Sequence, residues 1–177
     1  MKPLACPILP ADGVAANSPV NRGPFATTAA QRLRILERYR RIAMVGLSSN
    51  PFRPSHFAAI YLLAEGYDIV GVNPKEQQVL GRPCYPSLRD VPGPVEVGDI
   101  FRERSAVPAL VEDAIAIGAK VIWLQLGVIH EEAAERARQA GLEVVMDRCM
   151  KIEHARFFGG LSTLGLNTGV ISSRRRR

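Results

Sequence analysis

No stretch of about 18 consecutive apolar residues occurs in the 177-residue chain, so no membrane-spanning helix is expected. Cysteine is scarce. The three present, at positions 6, 84 and 149, are an odd and widely spaced set that builds no disulfide framework and fits a reducing cytoplasm. The opening segment, MKPLACPILPADGVAANSPVNRGPF, has Lys2 and small residues, as a secretory signal would. Pro3, Pro7 and Pro10 break any continuous apolar core there, and residues 1–28 read as a disordered leader. The body of the chain also lacks a basic surplus: of the net charge of +6, four charges belong to the arginines at 174–177, which leaves +2 for residues 1–173. A terminal arginine run reads as a solvated tail, and nucleic acid is not an expected partner. Histidine is sparse: His56, His130 and His154 fall at a helix start, a loop and a terminal helix. No nucleophile, metal-ligand or acid–base constellation can be assembled from them or from paired carboxylates. No metal and no catalytic residue are expected, apart from one candidate reactive thiol discussed below.

What is present begins with RIAMVGLSSNPFR at residues 41–53. Ile42, Ala43, Met44 and Val45 run directly into Gly46, Ser48, Ser49, Asn50 and Pro51, a buried strand ending in a tight polar turn. Pro54 and Ser55, the latter as N-cap, then open a helix with Phe57, Ile60, Leu62 and Leu63 that stops at Gly66. Strand, small-residue turn and helix in that order bring backbone N–H groups and a helix N-terminus to one spot, which is how α/β folds hold phosphate.

The same alternation continues along the chain. Upstream, residues 31–41 alternate basic and apolar side chains at helical spacing, an amphipathic helix packed beside the first strand. Further strands are expected at 67–72, 95–101, 120–126 and 143–146. A loop containing Leu80, Gly81, Arg82 and Pro83 and a short Ser87-capped turn lie between the second and third. A Ser105-capped helix ending at Gly118 and a helix at about 131–140 follow the third and fourth strands. Five strands apolar on both faces, separated by helices, require a mostly parallel, doubly wound α/β sheet covered on both sides. With 47% hydrophobic residues the chain has material for one such core, placed at 29–158, with 159–177 as a tail. In such a sheet ligands sit beyond the carboxyl ends of the strands.

Two departures from the dinucleotide fingerprint narrow the ligand. The first turn has one glycine, Gly46, in place of three. The second strand ends in Asn73, Pro74 and Lys75, where an NAD enzyme places an acid against the ribose diol. Lys75 attracts an added phosphate, so the ligand reads as a phosphorylated adenosine: NADP or the 3′-phospho-ADP portion of coenzyme A.

The strings VGLSSNPFRPS, GYDIVGVNPK, LGRPCYPSL, IGAKVIWLQLGV and VVMDRCMKIEHAR, in this order over residues 41–156, resemble the bacterial CoA-binding domain family. That family is in turn similar to the N-terminal CoA-binding domain of the succinyl-CoA ligase α subunit. The resemblance implies a Rossmann-like domain with five strands and helices on both faces, holding coenzyme A or an acyl-CoA. It places Gly46, Ser48, Ser49 and Arg53 around the pyrophosphate, and Asn73, Pro74 and Lys75 beside the adenosine and its 3′-phosphate. Phe101, Arg102, Gln125, Leu126 and Gly127 then line the remaining groove. No second domain carrying a phosphorylated histidine follows, so the expected role is a cofactor-binding carrier or sensor without turnover of its own, alone, as a homo-oligomer or beside a partner enzyme subunit. An NADP-binding oxidoreductase or redox sensor is the alternative, and an interaction protein acting through its tails a third reading. Cys149, at the ligand edge, reads either as a buried small apolar residue or, with Arg148 and Lys151 beside it in sequence to favour a thiolate, as a candidate reactive thiol that forms a mixed disulfide with coenzyme A.

Overall fold

Along the first strand, β1 (Arg41–Val45), Ile42 and Met44 enter one apolar core while Ala43 and Val45 enter another, and all four are buried. This period of two, repeated on every central strand, means that both faces of the sheet must be covered. The computed structural model, which describes residues 26–159, shows how. Helices α3 (Val107–Ala116) and α4 (Glu131–Gln139) pack on the face of Ala43, Val45, Ile122 and Leu124. Helices α1 (Ala29–Arg38), α2 (Pro54–Ala64) and α5 (Met150–Phe158) lie on the side of Ile42, Met44, Val121 and Trp123. Trp123 is fully buried, and its indole N–H donates to the Arg148 carbonyl at 2.7 Å.

The remaining strands are β2 (Asp68–Val72), β3 (Gln78–Val79), β4 (Arg82–Tyr85), β5 (Val97–Ile100), β6 (Val121–Leu124) and β7 (Glu143–Val145). Their order in the sheet is β3-β4-β2-β1-β5-β6-β7, parallel throughout except for the β3–β4 pair. The doubly wound α/β fold is as expected, but the sheet has seven strands where five were counted. The extra pair is the segment read as a loop around Leu80, Gly81, Arg82 and Pro83. Leu80 at φ 53° and Gly81 at φ 72° form a two-residue turn with both central residues left-handed, as a type I′ hairpin requires. β4 then joins β2 through Gly71 opposite Cys84 and Val72 opposite Tyr85. Gly71 makes room: a Cβ there would lie 2.9 Å from the Cys84 Sγ.

Two helix starts also differ from expectation. Pro54 is itself the first residue of α2 and Arg53 its N-cap, without a side-chain cap bond, because a proline at that position forfeits no helical hydrogen bond. Ser55 is therefore inside the helix and buried. Likewise α3 begins at Val107 after a 3-10 turn (Arg104–Ala106), with Ser105 inside that turn. The leader up to residue 25, with Cys6, and the tail from residue 160 lie outside the described residues.

The chain runs from β1 outward through β2, β3 and β4, then returns to β5 on the other side of β1. The carboxyl ends of β1 and β5 therefore flank the point where the winding reverses, and a crevice opens there.

Candidate functional site

Gly46 closes β1 at φ 90°, and its N–H donates to the Val72 carbonyl at 2.8 Å. A Cβ at this position would meet the Phe101 carbonyl oxygen at 2.7 Å and Arg102 Cδ at 3.1 Å, so only glycine lets the ends of β1 and β5 approach this closely. Leu47 is buried and anchors the turn, while Ser48, Ser49 and Asn50 face outward. The turn is held by its own polar groups. The Asn50 N–H donates to Ser48 Oγ at 3.2 Å, the Phe52 N–H to Asn50 Oδ1 at 2.9 Å, and the Arg53 N–H to the Asn50 carbonyl at 3.0 Å. His56, on the first turn of α2, donates from Nδ1 to the Ser48 carbonyl at 2.8 Å, which fixes the proton on that nitrogen because a carbonyl only accepts.

The end of β2 is tied to the same turn. Asn73 donates from Nδ2 to the Leu47 carbonyl at 2.8 Å, and its Oδ1 accepts from the Lys75 N–H at 3.1 Å. The Glu76 N–H closes on the Asn73 carbonyl at 3.2 Å, and this turn carries the Glu76 carboxylate back over the β1 turn. There Oε1 accepts from both the Ser49 N–H, at 2.9 Å, and the Ser49 hydroxyl, at 2.8 Å. The backbone N–H, and then the hydroxyl, hold this carboxyl below the usual carboxylate range.

On the other half of the sheet the placements are mixed. Phe101 pairs its N–H with the Val45 carbonyl at 2.8 Å and packs toward the α1, α2 and α5 side. Arg102 lines the crevice. Gln125 is buried, and its side chain turns into the interior, where Nε2 donates to Asp99 Oδ1 at 2.6 Å. Leu126 is half-buried, and the Gly127 N–H donates to Asp147 Oδ1 at 2.8 Å. Asp99 is fully buried in β5, and its second oxygen, Oδ2, has no hydrogen-bond partner among the described residues. Burial pushes this carboxyl up to about 7 against the pull of the Gln125 hydrogen bond.

Cys149 caps the start of α5 and is half-buried. Contrary to the expectation from its basic neighbours in sequence, its thiol is raised above the ordinary value. Desolvation is the largest cause and Asp99 adds to it, while the Ile152 backbone N–H and then Lys151 only partly offset them. His130 is the N-cap of α4, accepting from the Ala133 N–H, and His154 packs among Tyr61, Tyr67 and Phe158. Among the described residues no group of three or more His, Cys, Asp or Glu is placed to hold a metal ion.

Three residues picked out from sequence, Gly46, Pro74 and Arg102, line one pocket of about 230 Å³ at the switch point, together with Val72, Leu88 and Leu110. Ser48, Ser49, Arg53 and Asn73 belong to the turns beside it. His56, Glu76 and Asp99 were missed. His56 carried only a helix-start signal, Asp99 sat within an apolar strand, and Glu76 meets Ser49 across 27 residues.

A family model described as a CoA binding domain matches residues 40–155. The chain is similar to the uncharacterized protein YneT of Bacillus subtilis (strain 168), with 38% identity over 121 residues that cover 68% of this chain and 90% of that protein. It is also similar to the ADP-forming acetate–CoA ligase I of Archaeoglobus fulgidus, with 29% identity over 92 residues, which are 46% of this chain but only 13% of that enzyme. A solved structure of a hypothetical protein from Pyrococcus horikoshii OT3 superposes with a TM-score of 0.73 at 44% identity, covering 76% of this chain and 95% of that one.

Proposed function

Because the chain belongs to the CoA-binding domain family, we propose that it binds coenzyme A, or an acyl-CoA, at the carboxyl ends of β1, β2 and β5. The observation that carries this reading is the shared pocket of Gly46, Pro74 and Arg102, whose lining is mostly apolar and suits a flat base, with Arg102 and Asp113 as its charged members. The donor set fits a phosphate. The Ser49 N–H and hydroxyl already converge on one anionic oxygen, that of Glu76, which stands where a phosphate oxygen would sit. In this reading Ser48, Ser49 and Arg53 surround the diphosphate, and Asn73, Pro74 and Lys75 flank the adenosine, with Lys75 toward the 3′-phosphate. The pantetheine arm runs past Phe101, Leu126 and Gly127 toward Cys149. The buried amide of Gln125 supports that edge from beneath.

The role is that of a cofactor carrier or sensor without a catalytic centre of its own. Calorimetric titration of the purified chain with CoA and NADPH tests it: CoA binds more tightly, and a tighter NADPH complex overturns the reading in favour of an NADP-linked redox protein.

Cys149 adds a covalent possibility at the far end of the groove. Its thiolate attacks the disulfide of oxidised CoA, forms a Cys149–CoA disulfide and releases one CoA thiolate, while the Cys149 proton passes to solvent. Burial holds the thiol above its ordinary value, so the step is slow near neutral pH and speeds up as rising pH forms the thiolate. Intact mass after incubation with oxidised CoA reads the adduct; its absence, or its survival in Cys149→Ser, ends this part of the proposal.

A further inference from the structure

The most specific polar contact at the site is one that a ligand would have to break. Ser49 turns its backbone N–H and its hydroxyl toward a single point, and the carboxylate of Glu76 fills it at 2.9 and 2.8 Å. The contact is built. Asn73 ties the end of β2 to the β1 turn through the Leu47 carbonyl, and the Asn73 carbonyl then receives the Glu76 N–H. These bonds set Glu76 down within reach of Ser49. A carboxylate oxygen and a phosphate oxygen compete for the same donors with the same sign of charge, so both cannot sit there together.

We propose that Glu76 is an internal competitor for the ligand's diphosphate, occupying the Ser49 donors in the free protein and swinging away when a diphosphate arrives. The inference rests on the coenzyme A reading above and adds to it a residue that sets affinity and selectivity. Anions that bring a single weak charge to the turn gain little over the carboxylate they displace. A diphosphate brings more charge and more acceptor oxygens, and it replaces the Glu76 bonds with better ones. Glu76 thus lowers the affinity of ligands that must seat a diphosphate on the Ser49 donors, and leaves ligands that do not reach those donors nearly unaffected.

The test uses the full-length chain and its Glu76→Ala and Glu76→Gln variants, titrated calorimetrically with CoA, ADP and adenosine 3′-monophosphate. Thermal melts verify that each protein is folded, as expected for a change at the surface. Removing the competitor should tighten CoA and ADP about tenfold in Glu76→Ala, the scale of one charge-assisted hydrogen bond that the ligand no longer has to displace. Glu76→Gln keeps a neutral acceptor for the Ser49 donors and should fall between Glu76→Ala and the wild type. Adenosine 3′-monophosphate has no 5′-diphosphate and should change by less than about twofold. Unchanged or weaker CoA and ADP binding in Glu76→Ala overturns the proposal and makes Glu76 a clasp that shapes the turn. An equal gain for all three ligands also overturns it, since that is the mark of a general charge effect. If the wild type binds CoA and the variants match it, only this proposal falls; if none of the three proteins binds CoA, the coenzyme A reading falls with it.

Discussion

Gly46 is held at φ 90° with the Phe101 carbonyl where a Cβ would stand, so Gly46→Ala meets both backbone strain and a steric clash. The variant should lose about 2 kcal/mol or more in urea denaturation and bind CoA poorly, because the ends of β1 and β5 are forced apart. In the proposed complex Lys75 meets a different part of the ligand. Lys75→Ala should weaken CoA about fivefold while leaving dephospho-CoA unchanged, read by parallel titrations, since in that complex the ammonium serves only the 3′-phosphate. Asp99 makes a prediction about pH. Its folded value, about 7, lies above that of an unfolded aspartate, so the folded state binds the proton more tightly. Stability is then greatest while the carboxyl is protonated and falls as pH rises from about 4 to 7, by on the order of 4 kcal/mol in total. Asp99→Asn should remove this fall, so its stability relative to wild type improves steadily from about pH 4 to 7 in denaturation curves. Burial lowers the pKa of His154, which acts in the opposite direction; comparison with wild type at each pH isolates Asp99.

Among the elements, the β3–β4 hairpin and α5 are the instructive ones. Leu80 holds a left-handed conformation at φ 53° while being 38% exposed, so its side chain gains little from packing to offset the strain. Leu80→Asn should stabilise the fold by about 0.5–1 kcal/mol, seen as a higher melting temperature, because asparagine tolerates that conformation in a two-residue turn. Helix α5 is fastened by a buried ion pair. Glu153 accepts from Arg32 Nε of α1 at 2.8 Å, with side-chain exposures of 3% and 6%, and from Arg156 Nη1 at 3.2 Å. Arg32 in turn reaches the Thr27 carbonyl ahead of α1. Breaking the pair from one side leaves a buried charge without its partner. Glu153→Leu alone should cost about 3–5 kcal/mol, and Arg32→Met combined with Glu153→Leu less than the sum of the two single changes, as a double-mutant cycle will show.

At the scale of the whole molecule, the start of the domain is set by polar bonds more than by apolar ones. Thr28 caps α1 in a capping box with Gln31, and Thr27 receives Arg32. Deletion of residues 1–25 should therefore leave CoA affinity and stability intact, whereas deletion through residue 28 should cost about 1–2 kcal/mol, measured by denaturation of the two truncated chains. The doubly wound sheet could be read from the sequence because five of its strands are mainly apolar runs that supply both cores, and Gly46, Pro74 and Gly127 lie in the turns that follow three of them. The hairpin could not, since β3 has only two residues, β4 carries Arg82 and Pro83, and β4 joins the sheet opposite Gly71, which shows no strand preference of its own. The site divides the same way. Gly46, Pro74 and Arg102 stand at strand ends, which periodicity locates, and the pocket unites them. Glu76 over Ser49, Gln125 turned toward Asp99 and the raised thiol of Cys149 are properties of side-chain direction and burial, which no linear spacing carries.

The single tryptophan of the chain, Trp123, ties its indole N–H to the carbonyl of Arg148, the residue before Cys149. An emitter thus hydrogen-bonds the peptide that precedes the Cys149 residue, in a buried core where a blue-shifted emission is expected. Any event that shifts the start of α5, including disulfide formation at Cys149, will alter that emission, giving the protein an intrinsic optical reporter that needs no label.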